Sequence, residues 1–195
     1  TKEERYAKEF VDEIDDWINQ NPPKFGVNWA CAMDVAIRVC NWIWGYYFFK
    51  DSPVLTDEFM IMFIKSLLIH GRHIMANLEN RGFANNHYLA DLAGLIYLGV
   101  CFPEFKEAKI WRDYGIKELI KEMGRQVYDD GMDFEASTCY HRLALELFFY
   151  PALLLNLNGV QLPNTFIEKM KKMFDFVLYV LKPNGRMPQI GDNDN

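Results

Sequence analysis

Two short polar segments interrupt a largely apolar sequence, and both carry side chains that can hold an anion or move a proton. They are Asn85-Asn86-His87 and Tyr140-His141-Arg142. An amide and an imidazole at the start of a helix, where backbone N–H groups lack partners, suit the binding of a carboxylate. A tyrosine transfers a proton when its pKa is lowered, and an arginine pairs with an anionic group. Together these residue types suit proton abstraction beside a carboxylate, which is the chemistry of β-elimination from a uronic acid.

The same residues also have simpler structural explanations. Asparagine at the start of a helix is commonly a cap, and tyrosine or histidine inside an apolar helix commonly belongs to the core. Arg38 follows Asp34 by four residues, a spacing that favours an ion pair on a helix surface. Composition and spacing leave these alternatives open.

Metal ligands are not obvious in the sequence. The four cysteines are Cys31, Cys40, Cys101 and Cys139. They form no Cys-x-x-Cys pair, so we expect buried free thiols rather than a zinc site. His70 and His73 have a spacing that allows shared ligation, but no third ligand is evident. We therefore predict neither a metal nor a cofactor.

The composition bounds the class of protein. The chain has 195 residues, is 50% hydrophobic and carries a net charge of −6. This apolar content excludes a disordered chain and a small disulfide scaffold. Because the charge is negative and no basic run offsets it, nucleic acid is not an expected partner. No run of about 18 uninterrupted apolar residues occurs, so membrane insertion is not expected.

The elements that must position the polar segments are helices. Apolar residues recur at helical spacing along nearly the whole chain, which predicts seven helices and no strands. The helices are expected near 3–19, 28–49, 56–78, 87–100, 106–128, 134–158 and 165–181. We predict N-caps at Thr56 and at Thr165, the second in a capping box with Glu168, and a kink at Pro151.

The pattern of apolar faces predicts two layers. The second, third, fourth and sixth helices are apolar on most faces, whereas the first, fifth and seventh are one-sided. Short connections make neighbouring helices antiparallel. These features favour an inner and an outer ring of helical hairpins, and periodicity alone does not distinguish this from an irregular bundle.

Ordered groups of motifs in this sequence resemble the helical domain of heparinase II/III-type polysaccharide lyases. The motifs are Pro23-Lys24-Phe25-Gly26-Val27-Asn28-Trp29 with Ala36-Ile37-Arg38; Asn85-Asn86-His87-Tyr88-Leu89-Ala90 with Gly94-Leu95 and Phe102-Pro103-Glu104; Asp130-Gly131 with Glu135, Ser137 and Tyr140-His141-Arg142; and Ile190-Gly191-Asp192-Asn193-Asp194. The resemblance spans roughly residues 21–195 and rests on the order and spacing of the motifs together.

The resemblance implies an all-α fold, an α/α toroid built as an incomplete barrel of antiparallel helical hairpins. Residues 1–195 would form one toroid domain, a fragment lacking a C-terminal β-sandwich domain that partners it in the full-length protein. The family acts on heparan sulfate, heparin and alginate. The resemblance thus implies an anionic polysaccharide or oligosaccharide as partner. It favours a periplasmic or secreted location, whereas free cysteines favour a reducing compartment, so the location stays open.

The resemblance also implies roles for particular residues. Tyr140 would donate a proton, and Asn86 with His87 would neutralise the uronate carboxylate. Residues expected to line the substrate cleft are Arg38, Trp29, Asn28, Asn85, His141, Arg142 and Glu135. Asn86 and Tyr140 are 140 − 86 = 54 positions apart, so the fold must bring them together.

Two other functions remain open at this point. α/α toroids also host inverting glycoside hydrolases, for which Asp130 and Glu135 are the candidate carboxylates. A non-catalytic glycan-binding or assembly domain is the second alternative. Family enzymes also take residues, often a histidine, from the β-sandwich domain, so the residues of this chain would form only part of an active site.

Overall fold

Seven α-helices make up most of the part of the chain that this computed structural model describes, residues 3–82 and 84–193. They are α1 Glu4–Gln20, α2 Ala32–Phe49, α3 Asp57–Ala76, α4 Asn86–Cys101, α5 Ala108–Gln126, α6 Thr138–Leu157 and α7 Asn164–Val180. These residues form no strand, and a single isolated bridge joins Val127 and Asp133. The predicted all-α fold class is confirmed.

The helices form two layers. In the inner layer, α4 packs against α2 on one side and α6 on the other. Each inner helix also packs on the helix that follows it, so that α2 pairs with α3, α4 with α5 and α6 with α7. The outer layer is completed by contacts of α1 with α3 and of α5 with α7. Since two reversals separate successive inner helices, α2, α4 and α6 run parallel, and their N-termini lie at one end.

The central helix α4 is apolar all round because other helices surround it. Its side chains Leu89, Leu92 and Leu95 are completely buried. The backbone of α4 also approaches α2 closely, since a Cβ at Gly94 would lie 2.9 Å from the Cβ of Ala36. This packing holds the start of α4, which carries the first polar segment, in a fixed position relative to α2.

Two helices, α2 and α6, begin four residues later than predicted. Residues Val27–Trp29 form a short 3₁₀ helix, so α2 begins at Ala32. The region before α6 is not helical, because Ala136 adopts a left-handed conformation with φ of 56° and Ser137 serves as the N-cap. Both differences arise from turns that periodicity does not reveal.

The predicted caps have different outcomes. Thr56 caps α3 by accepting a hydrogen bond from the Phe59 N–H at 3.3 Å, as predicted. The prediction of a capping box at Thr165 is wrong. Helix α7 begins at Asn164, and its N-cap residue, Pro163, makes no side-chain hydrogen bond to the helix. The fixed φ of proline already suits the entry into this helix. The assigned helix α6 continues through Pro151.

By length and composition alone, α3 is long and apolar enough to cross a membrane, although its apolar residues do not form an uninterrupted run. In its most apolar window 44% of the residues are buried inside the molecule. Phe63, Leu67 and Ile74 are completely buried in the cluster that α3 shares with α2 and α4. Packing in the core therefore accounts for the apolar residues on this face of α3.

Candidate active site

The N-terminal ends of the three inner helices meet. The Sγ atom of Cys31, the N-cap of α2, lies 3.9 Å from Nδ1 of His87 in the first turn of α4. Asn86, the first residue of α4, bonds to Glu135 just before α6. A helix N-terminus presents unpaired backbone N–H groups and partial positive charge. The fold thus brings the two polar segments to one end of the inner layer.

Asn86 and Glu135 form the direct link between α4 and the segment before α6. The backbone N–H of Asn86 donates to Glu135 Oε1 at 3.0 Å. Its side-chain Nδ2 lies 2.9 Å from both carboxylate oxygens. The two carboxylate oxygens are too close together for each to receive its own N–H from Nδ2. One N–H therefore points between the two oxygens, and the other points away from Glu135. Glu135 therefore sets the orientation of the Asn86 amide, which is only 2% exposed.

Tyr140 is the third residue of α6, whose first turn is fastened from two directions. Ser137 Oγ accepts hydrogen bonds from the N–H groups of Cys139 at 3.1 Å and of Tyr140 at 3.3 Å. The chain also returns across this turn, where the Thr138 N–H donates to the Ile190 carbonyl at 2.9 Å. Tyr140 is half-buried on this fixed turn, so its backbone position is well determined.

His141 does not line a cleft, contrary to the expectation. It is completely buried, and its Nδ1 accepts a hydrogen bond from the Asp133 N–H at 3.1 Å. Its Nε2 lies 3.1 Å from the carbonyl of Met173 on α7 and donates to it. Burial lowers the pKa of His141 below its usual value, in keeping with a neutral ring that joins α6 to α7. The next residue, Arg142, is exposed.

His87 is held by the carboxylate of Glu79, which lies in the loop between α3 and α4. Its Nδ1 lies 3.2 Å from Oε1 of Glu79, and 42% of its side chain is exposed. Glu79 is fixed in turn, since its Oε2 accepts the Met33 N–H at 2.9 Å and its own N–H donates to Asp91 at 2.8 Å. Within the described ranges no hydrogen bond engages Nε2 of His87. No sequence spacing indicates the contact, because Glu79 lies outside α4.

Asn85 is the N-cap of α4. Its Oδ1 accepts the His87 N–H at 3.1 Å, which confirms the simpler structural explanation for this residue. The side chain is half-buried. Its oxygen is therefore used by the helix, and only its amide NH₂ remains for a ligand.

Arg38 lies between aromatic rings and does not pair with Asp34. Its guanidinium carbon lies 4.0 Å from the ring centroid of Trp17 and 5.5 Å from that of Trp29. It donates from Nε to His70 at 3.1 Å and from a terminal nitrogen to the carbonyl of Asn28 at 3.0 Å. Burial lowers the pKa of Arg38 to about 10, so the group stays charged at neutral pH.

His70 is not a metal ligand, since both ring nitrogens are occupied. Nε2 accepts from Arg38, and Nδ1 donates to the carbonyl of Ser66 at 2.7 Å. Burial lowers the pKa of His70 to about 3. The ring is therefore neutral and serves as an acceptor that positions Arg38.

Trp29 and Asn28 belong to the support of Arg38. Trp29 was expected in the cleft but is only 4% exposed, with its indole N–H donating to the carbonyl of Asn21 at 3.2 Å. Asn28 is exposed, and its amide donates to Asn21 Oδ1 at 2.6 Å. The Trp29 ring thus packs against the Arg38 guanidinium, with their centres 5.5 Å apart.

The carboxylate pair considered for a hydrolase has little support in this geometry. Asp130 is exposed in a turn, where its Oδ1 accepts the Met132 N–H at 3.0 Å. Both carboxylate oxygens of Glu135 accept hydrogen bonds from Asn86. The two side chains therefore serve separate structural tasks.

A polar cavity of about 520 Å³ opens beside His87. Its lining includes Asn77, Glu79, Arg81, Asn85 and His87. It offers amide and guanidinium donors next to the start of α4, so an anionic group has room to approach this end of the inner layer.

Two layers of antiparallel helical hairpins, with parallel inner helices whose N-termini carry the polar residues, define an α/α toroid. The chain belongs to the heparinase II/III family. The family described as "Heparinase II/III N-terminus" matches it over residues 1–195.

Relatives of known name support this membership. A heparin-sulfate lyase of Pedobacter heparinus is 30% identical over 201 residues, covering 99% of this chain and 30% of that protein. A heparin-sulfate lyase of Bacteroides stercoris is also 30% identical, over 213 residues, covering 97% of this chain and 31% of its own length. The chain therefore spans about three tenths of the length of these relatives.

Solved structures agree with the assignment. The crystal structure of heparan sulfate lyase HepC from Pedobacter heparinus matches with a TM-score of 0.73 and 28% identity, covering 96% of this chain and 30% of that one. A crystal structure of heparinase III matches with a TM-score of 0.82 and 26% identity, covering 94% of this chain and 28% of that one. The similarity thus extends through the whole set of helices.

Proposed function

We propose that this chain supplies the helical side of the active site of a polysaccharide lyase that cleaves a uronate-containing anionic polysaccharide by β-elimination. The observation that carries the proposal is the contact of Asn86 with Glu135 at 2.9 Å, which joins the start of α4 to the segment before α6. That contact unites the amide–imidazole pair with the turn bearing Tyr140. The lyase names of the relatives support the reaction class.

Binding of the uronate carboxylate is assigned to the helix N-termini. The net charge of the chain is −6, so long-range attraction does not explain anion binding. The local electrostatic field explains anion binding instead, because the starts of α2, α4 and α6 converge and each contributes partial positive charge. The partly exposed His87 meets the carboxylate directly. Asn86 contributes its second N–H from a more buried position, where a low local dielectric strengthens the hydrogen bond.

Neutralisation of the carboxylate makes the neighbouring C5 proton more acidic. A base takes that proton, the C5–H electron pair forms the C4=C5 double bond, and the C4–O bond breaks. Tyr140 donates its proton to the departing glycosidic oxygen. Asn86 and His87 stabilise the negative charge that develops on the carboxylate during this step.

The proposal includes a division of labour between domains. Residues 1–195 form the toroid domain, and a β-sandwich domain in the full-length protein completes the site. Supporting this, the curated relatives are about three times as long as the matched region. A periplasmic or secreted location and an anionic polysaccharide partner belong to the same proposal.

The test is to incubate the full-length protein with heparan sulfate, heparin and alginate and to follow the ultraviolet absorbance of the new C=C bond. The Tyr140→Phe variant should lose about 10²–10⁴-fold in rate with an unchanged circular dichroism spectrum. Tyr179→Phe is the matched control, because Tyr179 is 89% exposed on α7. Full turnover by Tyr140→Phe contradicts the role of Tyr140. Cleavage without unsaturated products indicates a hydrolase, and binding without cleavage indicates a glycan-binding module.

A further inference from the structure

Three metal-binding side chains from separate segments meet beside the start of α4. They are Cys31 before α2, Glu79 in the loop after α3, and His87 in the first turn of α4. Their candidate ligand atoms all lie within 4.8 Å of one another. We propose that Cys31, Glu79 and His87 bind a single zinc ion through Sγ, a carboxylate oxygen and Nδ1.

The distances between these atoms fit a tetrahedral ion. Zinc lies about 2.0–2.3 Å from its nitrogen, oxygen and sulfur ligands, so tetrahedral ligands lie roughly 3.3–3.7 Å apart. The Glu79 oxygen nearest to His87 is Oε1, which lies 3.2 Å from His87 Nδ1 and 3.8 Å from Cys31 Sγ. The Cys31 Sγ to His87 Nδ1 distance is 3.9 Å. Shifts of a few tenths of an ångström therefore suffice to place one ion among all three.

The chemistry of the donors selects zinc over calcium or magnesium. A thiolate and an imidazole are ligands that zinc prefers, whereas calcium and magnesium take oxygen ligands. On binding, the Cys31 thiol releases its proton to solvent. The resulting thiolate and the Glu79 carboxylate then supply two negative charges that balance the two positive charges of the ion. Three protein ligands leave a fourth position for water or an anion.

Protein hydrogen bonds and helix packing fix the positions of the three proposed ligands. The Met33 N–H donates to Glu79 Oε2 at 2.9 Å, and the Glu79 N–H donates to Asp91 at 2.8 Å. Cys31 and His87 are fixed at the starts of two helices that pack on each other. Such outer partners orient metal ligands and tune their affinity.

An ion can reach the site. The side chains of His87 and Glu79 are 42% and 30% exposed, and the cavity of about 520 Å³ adjoins both. Binding through Nδ1 leaves Nε2 of His87 as the N–H donor toward that cavity. Zinc binding does not depend on lyase activity, so the two proposals succeed or fail separately.

The experiment uses cobalt(II) as a spectroscopic replacement for zinc. The full chain is stripped with a chelator, dialysed and titrated with Co²⁺. We expect one equivalent to bind and to produce a thiolate-to-cobalt charge-transfer band in the near ultraviolet with d–d bands of tetrahedral intensity. One equivalent of Zn²⁺ should then displace the cobalt. Absence of the charge-transfer band in the unaltered chain overturns the proposal.

Variants locate the ion. Cys31→Ser should abolish the charge-transfer band, whereas Cys101→Ser, which replaces a thiol at the far end of α4, should keep it. Glu79→Gln and His87→Ala should weaken Zn²⁺ binding by at least about tenfold. A band that persists in Cys31→Ser overturns the proposal. If Cys31→Ser does not fold, Glu79→Gln decides the matter, since unchanged zinc affinity in that variant also overturns it.

Discussion

Glu135 holds Asn86 by its backbone and its side chain together, through contacts of 2.9–3.0 Å. The relationship joins two helices whose starts are 138 − 86 = 52 residues apart. It also decides which end of the Asn86 amide faces the carboxylate, because only the NH₂ group donates.

Removal of this carboxylate should destabilise the chain. Glu135→Ala leaves two N–H donors of the buried Asn86 without their partner, and we expect the free energy of unfolding to fall by about 1–3 kcal/mol. Urea unfolding followed by circular dichroism measures the change. Glu168→Ala is the control, because the Glu168 side chain is 64% exposed and forms a surface ion pair with Lys171. Equal midpoints for the two variants would contradict the structural role of Glu135.

Arg38 should contribute to stability through its two aromatic neighbours and His70. Arg38→Ala removes the donor to buried His70 and the contact with the Trp17 ring, so we expect a loss of about 1–3 kcal/mol in unfolding free energy. Arg5→Ala removes a cation–π contact of 4.7 Å with Tyr6 at an exposed position. That control should change stability by less than about 0.5 kcal/mol. A similar loss of unfolding free energy in both variants would contradict the stabilising role of the Arg38 contacts.

Asp133 should give stability a distinctive dependence on pH. Burial and the neighbouring Glu135 raise the pKa of Asp133 to about 7. Between about pH 4 and 7 the folded chain therefore holds a proton that the unfolded chain releases, and stability falls by up to about 1.4 kcal/mol per pH unit as pH rises.

Asp133→Asn isolates this effect because asparagine does not titrate. Its side-chain oxygen can still accept the Glu135 N–H, which donates to Asp133 Oδ1 at 3.1 Å. Buried histidines act in the opposite direction, but they are present in both proteins and cancel in the difference. Urea midpoints at about pH 5, 6 and 7 should show the variant gaining stability relative to the parent as pH rises. A constant difference across that range would refute the raised pKa.

Gly131 should tolerate no side chain. Its φ is +95°, and a Cβ there would overlap the backbone of Lys172 on α7. Gly159 is a matched control, since its φ is +77° but a Cβ would meet nothing within 4 Å. We expect Gly159→Ala to cost about 1–2 kcal/mol from backbone strain alone and Gly131→Ala to cost clearly more. Thermal unfolding compares them, and equal melting temperatures would show that α7 moves away freely.

Several site positions followed from sequence motifs. The resemblance placed Asn86, His87 and Tyr140 together, and the structure brings their segments to one end of the inner helices, although their catalytic roles remain predictions. The structure does not support the cleft positions of Trp29 and His141, because their ring nitrogens bond to backbone groups of Asn21, Asp133 and Met173 within the core. An aromatic or imidazole side chain fits a core and a cleft equally well, so its residue type does not indicate which way it points.

Glu79 and Cys31 were missed for another reason. Their contact with His87 spans 8 and 56 positions of the chain, and neither separation has a periodic signature. Only the packing of α2 against α4 brings the thiol to the imidazole. A ligand set drawn from distant segments is invisible to any test of local spacing.

The sequence by itself determined the helical character and the number of helices, because apolar periodicity records which face of each helix is buried. It favoured two layers, but only the contacts between helices distinguished them from an irregular bundle. It also determined the family, through the order of the motifs. Tertiary structure alone decided that the N-termini of α2, α4 and α6 converge, that Glu135 orients Asn86, and that Arg38 contacts His70 instead of Asp34. Those outcomes depend on the relative positions of helices, which follow from long-range packing rather than local preference.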